Sequence, residues 1–157
     1  MNDQDRKIAL RMISYGVYIL TSKIGDQISA ATVTWVSQAS FEPPMLTVCI
    51  KKDSYLHGAV KRRGEFILHM MGEDQKELAA TFFKFNGTEN DLMNGEKFEL
   101  KNDLPVIIAS PTYMQCKVLE ILENGDHHLF LSEVKDVVVK KEVAPLELRK
   151  TGWYYGG

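Results

Sequence analysis

Small polar side chains and aromatic rings are concentrated in the segment from Thr32 to Pro44. Its threonine, serine and glutamine side chains offer hydrogen-bond donors and acceptors, and Trp35 adds a large flat apolar surface. The segment begins with strand-like residues and ends at two prolines, so we expect backbone groups that leave a sheet and need other partners. Two interpretations stay open: an edge strand followed by a proline turn, or a wall that contacts a polar, planar ligand.

A second polar segment runs from Lys51 to His57, between a predicted strand and a predicted helix. The first turn of a helix carries free N–H groups and a partial positive charge. Lys51, Lys52 and Ser54 add further donors, which suits an anion such as a phosphate group. The same pattern is also typical of a helix cap on a solvated surface, so the residues alone do not decide between the two.

The histidines and cysteines are further candidates for chemistry. His127 follows a predicted turn at the mouth of a predicted strand, where its ring contacts a ligand or lies on the surface. The neighbouring His128 points to the opposite face of that strand, which makes the pair poor metal ligands, and we predict no metal site. His69 lies inside a predicted strand and is interpreted as structural. Cys49 and Cys116 lie in apolar strand-like runs, which indicates buried, inert thiols in a reducing compartment.

The hydrophobic pattern predicts the elements that must position these residues. Helical spacing predicts three short helices, at residues 3–13, from 53 or 54 to about 64, and from 74 to 82, of which the first lies against a barrel. Strand patterns cover residues 15–21, 28–36, 45–50, 65–71, 114–122 and 128–139. The Asn124-Gly125 pair predicts a tight turn with positive φ angles. The polar residues 86–104 predict a long surface connection.

Many strands, few short helices and no regular alternation of the two predict a mostly β protein built on an antiparallel barrel. The 157 residues fit a single domain, residues 1–157. The sequence has no Gly-x-Gly-x-x-Gly turn, which excludes a Rossmann dinucleotide site. The formal net charge of -2 argues against nucleic acid as a partner. The sequence shows neither a signal-like start nor a long apolar run, which predicts a cytoplasmic protein that does not interact with a membrane.

These segments resemble the flavin reductase-like family of FMN-binding split barrels. The resemblance runs roughly from Arg11 to Val139. It rests on residues 14–22, 32–44, 64–66 and 125–127, and on Gln75, Leu78, Ala79 and Phe82. Residues 35–41, Trp-Val-Ser-Gln-Ala-Ser-Phe, are especially similar to the reductase module of diflavin flavoproteins. The family implies a mostly β, antiparallel split barrel with a few short peripheral helices.

The resemblance also implies a site. In the family, the segment corresponding to residues 32–40 wraps the isoalloxazine ring, and the segment corresponding to residues 51–57 holds the phosphate. The implied cofactor-binding residues are Thr32, Val33, Thr34, Trp35, Ser37, Gln38, Ala39, Ser40, Lys51, Lys52, Ser54, His57 and Phe82. The family's Gly-Asp-His maps onto residues 125–127 and makes His127 the implied catalytic residue, near the flavin and the nicotinamide approach. Many relatives have a small residue in place of Trp35, so its indole is expected either to restrict access to the flavin or to change the choice of substrate.

The function implied by the resemblance is that of an NAD(P)H-dependent flavin reductase. FMN is the expected cofactor, ahead of FAD, and its electrons pass to free flavin, to a redox partner protein or to a metal complex. Two alternatives stay open: an electron-transfer flavoprotein with tightly bound FMN and little NAD(P)H activity, and a non-redox module that stores or senses flavin. The family further implies a homodimer with flavin at the subunit interface.

Overall fold

Antiparallel strands make up most of the molecule, and the computed structural model describes residues 1–157. The helices are α1 (Asp3–Arg11), α2 (Tyr55–Arg63), α3 (Lys76–Thr81) and α4 (Leu148–Thr151). The strands are β1 (Tyr18–Ile24), β2 (Gln27–Val33), β3 (Val36–Ser40), β4 (Met45–Lys51), β5 (Glu65–Met70), β6 (Thr88–Glu89), β7 (Leu92–Met93), β8 (Glu96–Lys101), β9 (Leu104–Ile107), β10 (Thr112–Leu122) and β11 (His127–Val139). None of the helices combines the length and the apolar character that crossing a membrane requires.

The large sheet closes into a split barrel through a connection of two residues. Its seven strands follow the order β2-β1-β5-β10-β11-β4-β3, and all neighbours are antiparallel. The two edge strands, β2 and β3, are consecutive in the chain and are joined by Thr34 and Trp35 alone. Three residue steps span at most about 11 Å, so the two edges must meet at this point. We call Thr34-Trp35 the seam. The seam divides the single strand predicted over residues 28–36 into β2 and β3. The closed sheet confirms the predicted barrel.

Apolar side chains fill the barrel and cover one outer face. Inside, Leu20, Val48, Phe66 and Phe130 are fully buried. On the other face, Ile19 of β1 joins a second cluster to which α3, α4, β7 and β9 all contribute. Successive residues of a strand point to opposite faces, which explains why Leu20 and Ile19 belong to different clusters. Strand β1 is therefore buried on both sides and anchors the site described below.

Helix α2 follows the predicted pattern closely. Ser54 is its N-cap, and the Ser54 hydroxyl accepts a hydrogen bond from the His57 backbone N–H at 3.1 Å. Gly64 ends the helix in the left-handed conformation, with φ of 75°, which glycine adopts without a steric penalty. Leu56, Ala59 and Val60 face the core, as the spacing predicts. The helix thereby fixes the Lys51 to His57 segment against the barrel.

The prediction of a surface connection over residues 86–104 is wrong. Residues 88–107 contain the four-stranded sheet β6-β7-β8-β9. Met93 and Leu104 are fully buried, while the outward face of the sheet is polar and hides the strand pattern. Asn102 and Asp103 adopt φ of 51° and 62°, and they form the tight turn between β8 and β9.

Two further expectations about local structure are also wrong. The Asn124-Gly125 pair does not adopt positive φ; it lies in a four-residue connection, residues 123–126, between β10 and β11. Helix α1 forms, but no residue of it is buried, and Ile8 and Met12 are 51% and 72% exposed. The apolar positions of α1 therefore do not contact the barrel of this chain.

His69 is a structural residue, as predicted. Its side chain is fully buried; Nε2 accepts a hydrogen bond from the Ile107 N–H, and Nδ1 lies 3.0 Å from the Ile19 carbonyl oxygen. Since Nε2 accepts, Nδ1 carries the proton and donates it to Ile19, and the ring is neutral. Burial lowers the pKa of His69 to about 4. The ring joins β1, β5 and β9.

Replacing His69 by leucine should lower stability near pH 7 and flatten its pH dependence. The variant leaves the Ile107 N–H and the Ile19 carbonyl without partners, each at about 1–3 kcal/mol. In the wild type the pKa is lower in the folded chain than the unfolded value of about 6.5. The unfolded state then binds more protons between these values, so stability is lost as the pH falls from about 6.5 to 4. Urea unfolding at pH 7 and pH 5 measures both effects. If the free energy of unfolding changed equally between these pH values in variant and wild type, the pH dependence would not come from His69.

Candidate functional site

A cavity of about 560 Å³ lies beside the seam. Its walls come from β2, the seam, the end of β4, the start of α2, the start of β11 and the C-terminal residues 153–155. The volume lies within the range of about 300–1,000 Å³ that is typical of small-molecule sites. The lining is mostly apolar, with a few polar side chains. This cavity is the candidate site.

The structure brings both polar segments of the sequence to this one cavity. Of the implied site residues, those that line it are Thr32, Val33, Thr34, Trp35, Lys51, Ser54 and His127. They come from three separate parts of the chain, and the barrel places them together because β4 pairs with β11 in the register Lys51 opposite His127. Their roles toward a ligand stay predictions.

Two buried polar atoms in the seam have no hydrogen-bond partner. They are the Thr34 Oγ1 and the Trp35 Nε1. An unpartnered buried polar group costs about 1–3 kcal/mol, so proteins rarely keep one without a reason. Both residues line the cavity. The two atoms themselves are covered, so a ligand that exchanges hydrogen bonds with this hydroxyl and this indole N–H would have to displace the side chains that cover them.

Aromatic rings form one side of the cavity. The Trp35 ring lies 4.6 Å from the ring of His127 and 5.3 Å from that of Tyr155, measured between centroids. Phe83 and Trp153 extend this side, with centroids 4.6 Å apart. Flat apolar surfaces of this kind favour a planar ring system.

His127 is held by two hydrogen bonds. Its Nδ1 lies 2.9 Å from the Asp126 Oδ1, and its Nε2 lies 2.6 Å from the Tyr155 hydroxyl. The carboxylate accepts from Nδ1–H, so Nε2 accepts the Tyr155 proton. This hydrogen bond holds the pKa of Asp126 below its usual range, and burial, followed by the Asp126 charge, raises the pKa of Tyr155. The ring is thus fixed in one orientation at the cavity wall.

The sequence reasoning missed the C-terminal segment. Trp153, Tyr154 and Tyr155 all line the cavity, and none was predicted to be near the site. The Arg11 Nε holds this segment by donating to the Gly156 carbonyl at 3.2 Å. Three consecutive aromatic residues at the end of a chain are the signal that could have pointed to them.

Lys51 and Ser54 form a polar corner at the start of α2. The Ser54 hydroxyl is already engaged, since it donates to the Lys51 carbonyl at 2.8 Å and caps α2. The Lys51 side chain is exposed and paired with no carboxylate. Lys52 does not line the cavity; its backbone N–H donates to the Asp126 carbonyl at 3.0 Å. Lys51 is thus the cation that faces the cavity.

Two implied site residues have side chains that turn away from the cavity. Phe82 is fully buried in the outer core, and its carbonyl accepts from the Thr32 N–H at 3.1 Å. It supports Thr32, while the next residue, Phe83, lines the cavity. The ring of His57 packs against His128 and Phe130. Neither Phe82 nor His57 lines the cavity, so neither forms part of its wall in this structure, and their implied contacts with a ligand stay predictions.

The exposed edge strand β3 carries Gln38 and Ala39, and Ser40 ends it half-buried; none of the three lines the cavity. Ser37 borders a shallow groove next to Trp35. Since β3 pairs only with β4, its outer edge has no partner strand within this chain. The implied contact of these residues with a flavin ring stays a prediction.

The two cysteines differ. Cys116 is fully buried, and burial raises the pKa of its thiol to about 12, as expected of an inert core thiol. Cys49 is half-buried and lines the cavity, and burial raises the pKa of its thiol as well. A raised pKa keeps a thiol protonated and weakly nucleophilic. Neither thiol is set up for nucleophilic chemistry.

The sequence match decides the family. The flavin reductase like domain family matches residues 10–156. The chain belongs to this family. Diflavin flavoprotein A 1 of Synechocystis sp. (strain ATCC 27184 / PCC 6803 / Kazusa) is 32% identical to this flavin reductase-like domain over 157 residues, which cover 98% of the chain and 27% of that protein. The domain thus spans about a quarter of the length of the curated relatives it matches.

Solved structures share the fold of this flavin reductase-like domain. Flavin reductase PheA2 in its native state is 23% identical, with a TM-score of 0.81 over 99% of this chain and 98% of that chain. The NADH:FAD oxidoreductase SgcE6 of Streptomyces globisporus C-1027 is 21% identical, with a TM-score of 0.74 over 88% of this chain and 86% of that chain. The split barrel is therefore shared, at low sequence identity, by proteins named as flavin oxidoreductases.

Proposed function

We propose that this flavin reductase-like domain holds FMN in the cavity beside the seam and works as an NAD(P)H-dependent flavin reductase. The observation that carries the proposal is that Thr34 and Trp35, whose Oγ1 and Nε1 atoms are buried without partners, line a cavity walled by aromatic rings. A flavin ring is planar and rich in hydrogen-bonding atoms along one edge, so it fits both features.

Each part of the cavity has a task in this proposal. The seam and the Trp35 ring hold the isoalloxazine. Lys51 and the free N–H groups at the start of α2 bind the phosphate. His127 orients the nicotinamide at the open side. Bound FMN would supply the redox chemistry, namely acceptance of a hydride from NAD(P)H and delivery of its electrons to free flavin or another acceptor.

The single polar corner supports FMN over FAD. Lys51 and the start of α2 provide one anion site, and the sequence holds no Gly-x-Gly-x-x-Gly motif for a diphosphate. FMN carries one phosphate and needs one such site. Titration of the purified chain with FMN, FAD and riboflavin tests this choice, and tighter binding of FAD than of FMN would contradict it.

Anaerobic reduction tests the reductase. The FMN-loaded chain should lose its flavin absorbance within seconds of mixing with NADH or NADPH. Loss of absorbance only with dithionite or with a reduced protein donor would overturn the reductase in favour of an electron-transfer flavoprotein. One observation favours this second candidate, the electron-transfer flavoprotein. The matched relatives are longer proteins named for two flavins, and in such a protein a domain of this family would exchange electrons with another flavin. A chain that binds no flavin at all would refute both.

We further propose a homodimer. Helix α1 presents Ile8 and Met12, four residues apart on one face, at 51% and 72% exposure, and Phe41 after β3 is 90% exposed. Apolar groups in such positions are commonly covered by a partner, and two-fold dimers are the most common closed assembly. A cavity bordered by an edge strand would then be completed by the partner.

Changing both Ile8 and Met12 to lysine should weaken the dimer, since two buried charges would replace two apolar contacts. Light scattering at micromolar concentration measures the mass directly. The control is Arg6→Glu, which reverses a charge on the opposite face of α1 and should leave the mass unchanged. A wild-type monomer with FMN bound would contradict the assembly.

A further inference from the structure

A second cluster of ionisable side chains lies on the face of β11 opposite the cavity. The His57 Nε2 is 2.8 Å from the His128 Nδ1, and that same Nδ1 is 3.6 Å from the Glu123 Oε1. One nitrogen or oxygen of each residue lies within 4.8 Å of the others. His127 and His128 are neighbours on the strand and point to opposite faces, so this cluster is separate from the proposed flavin site.

We propose that His57, His128 and Glu123 bind one divalent transition-metal ion, with Zn²⁺ as the best match. Imidazole nitrogen and carboxylate oxygen bind Zn²⁺ at about 2.0–2.2 Å in tetrahedral geometry, which places two ligand atoms about 3.4 Å apart. The observed separations of 2.8 Å and 3.6 Å lie on either side of this value. Shifts of less than an ångström would bring these two edges to that value, and the third edge, between His57 and Glu123, lies within 4.8 Å.

The two histidines are held by rigid parts of the fold. His57 lies in the first turn of α2, where its ring packs edge-on against Phe130 with centroids 5.4 Å apart. His128 lies in β11, paired with Ile50 of β4. Glu123 lies in the exposed connection between β10 and β11, so its side chain can adjust. Three protein ligands leave the fourth tetrahedral position to water, a common arrangement for Zn²⁺.

The Lys61 ammonium group would compete with a metal ion for Glu123. Its ammonium group forms an ion pair with Glu123. The charged and titratable groups around the cluster are His57, His128, Glu123, Lys61 and Asp53. A metal ion bound at the Glu123 Oε1 would compete with the Lys61 ammonium, because both use this oxygen. Removal of the Lys61 charge should therefore tighten metal binding, whereas removal of a ligand should weaken it.

Bound metal would tie α2 to the β10–β11 hairpin. An ion that binds the folded chain and not the unfolded one raises stability in proportion to the logarithm of its concentration above Kd. The expected signature is a melting temperature that rises with Zn²⁺ and is reset by a chelator. The proposal does not depend on flavin, so it can be tested on the flavin-free chain.

Calorimetric titration of the tag-free chain with Zn²⁺ tests the site. We expect one ion per chain and a concentration-dependent rise in melting temperature. His57→Asn and His128→Ala should each weaken binding at least tenfold, because even the loss of a group that supports a metal ligand costs about 10- to 100-fold. Glu123→Gln should weaken binding, and Lys61→Met should tighten it. Cys49→Ser checks that a thiol is not the ligand, and His127→Ala checks the other face of the strand; both should retain wild-type affinity for Zn²⁺.

Unfolding of a variant is separated from ligand loss by circular dichroism and melting without metal, and His128→Gln replaces His128→Ala if the latter does not fold. No saturable binding of Zn²⁺ up to millimolar concentration would overturn the proposal and leave a hydrogen-bonded histidine pair. Equal affinity in the wild type and in the His128 variant would also overturn it, since the ion would then bind elsewhere.

Discussion

Replacing Lys51 by alanine should weaken FMN binding by about 10- to 150-fold and leave riboflavin binding nearly unchanged. Lys51 is the cation that lines the cavity, and it lies beside the start of α2. A charge-assisted hydrogen bond to a phosphate is worth about 1.5–3 kcal/mol, which corresponds to this range of affinity. Riboflavin lacks the phosphate and loses nothing. Fluorescence titration with both ligands measures the difference.

The neighbouring lysine provides a matched control for this experiment. Lys52 carries the same charge, but its side chain does not line the cavity, and only its backbone N–H is used, toward Asp126. Lys52→Ala should therefore leave FMN affinity within a few-fold of the wild type. If the two alanine variants weaken FMN equally, the lysines act through general charge, and the phosphate lies elsewhere.

The sequence predicts the local parts of this fold better than the long-range ones. Helix α2 forms as predicted, because its cap, its apolar face and its closing glycine lie within eleven residues, 54–64. The sheet of residues 88–107 was missed, because its outward face is polar and only alternate side chains, such as Met93, reach the core. A strand of this kind, with only one face buried, is recognised once its partner strands are known.

The seam could not be predicted either. Residues 28–36 are β-branched and apolar enough to form one long strand, and nothing local marks the break at Thr34-Trp35. The break follows from topology, since β2 and β3 lie at opposite edges of the sheet and barrel closure requires the chain to cross between them. The seam is also where two polar atoms lack partners. Closure of the barrel and the candidate binding surface therefore depend on the same two residues.

Contacts distant in sequence decide where several of the implied site residues lie. His57 was implied to lie at the phosphate, yet its ring finds His128, 71 residues away. Tyr155 was not considered, yet it binds His127, 28 residues away. Phe82 and Phe83 differ only in which face of the chain each presents after α3, and a one-residue shift separates a core residue from a cavity residue. Spacing alone does not fix such choices.

His127 gives the second large expected effect, and it should be kinetic. His127→Ala should leave FMN occupancy nearly intact and slow anaerobic reduction by NAD(P)H on the order of a hundredfold, because a reactant misplaced by about 1 Å can cost that much in rate. The ring lies at the cavity wall, 4.6 Å from the Trp35 ring, where it can orient a nicotinamide without holding the flavin phosphate.

Tyr155 shows whether the orientation of the His127 ring matters. The Tyr155 hydroxyl donates to Nε2 at 2.6 Å, so Tyr155→Phe removes one support of the ring and leaves the ring in place. A neutral hydrogen bond is worth about 0.5–1.5 kcal/mol, so this variant should slow reduction by about 2- to 12-fold.

In the double variant the tyrosine change should add nothing to His127→Ala, because the partner is already absent. Stopped-flow absorbance gives all rates, with Lys135→Ala, exposed near the other end of β11, as the control. Additive effects of the two changes would show that Tyr155 acts independently of His127, and an unchanged rate in His127→Ala would remove this histidine from the site.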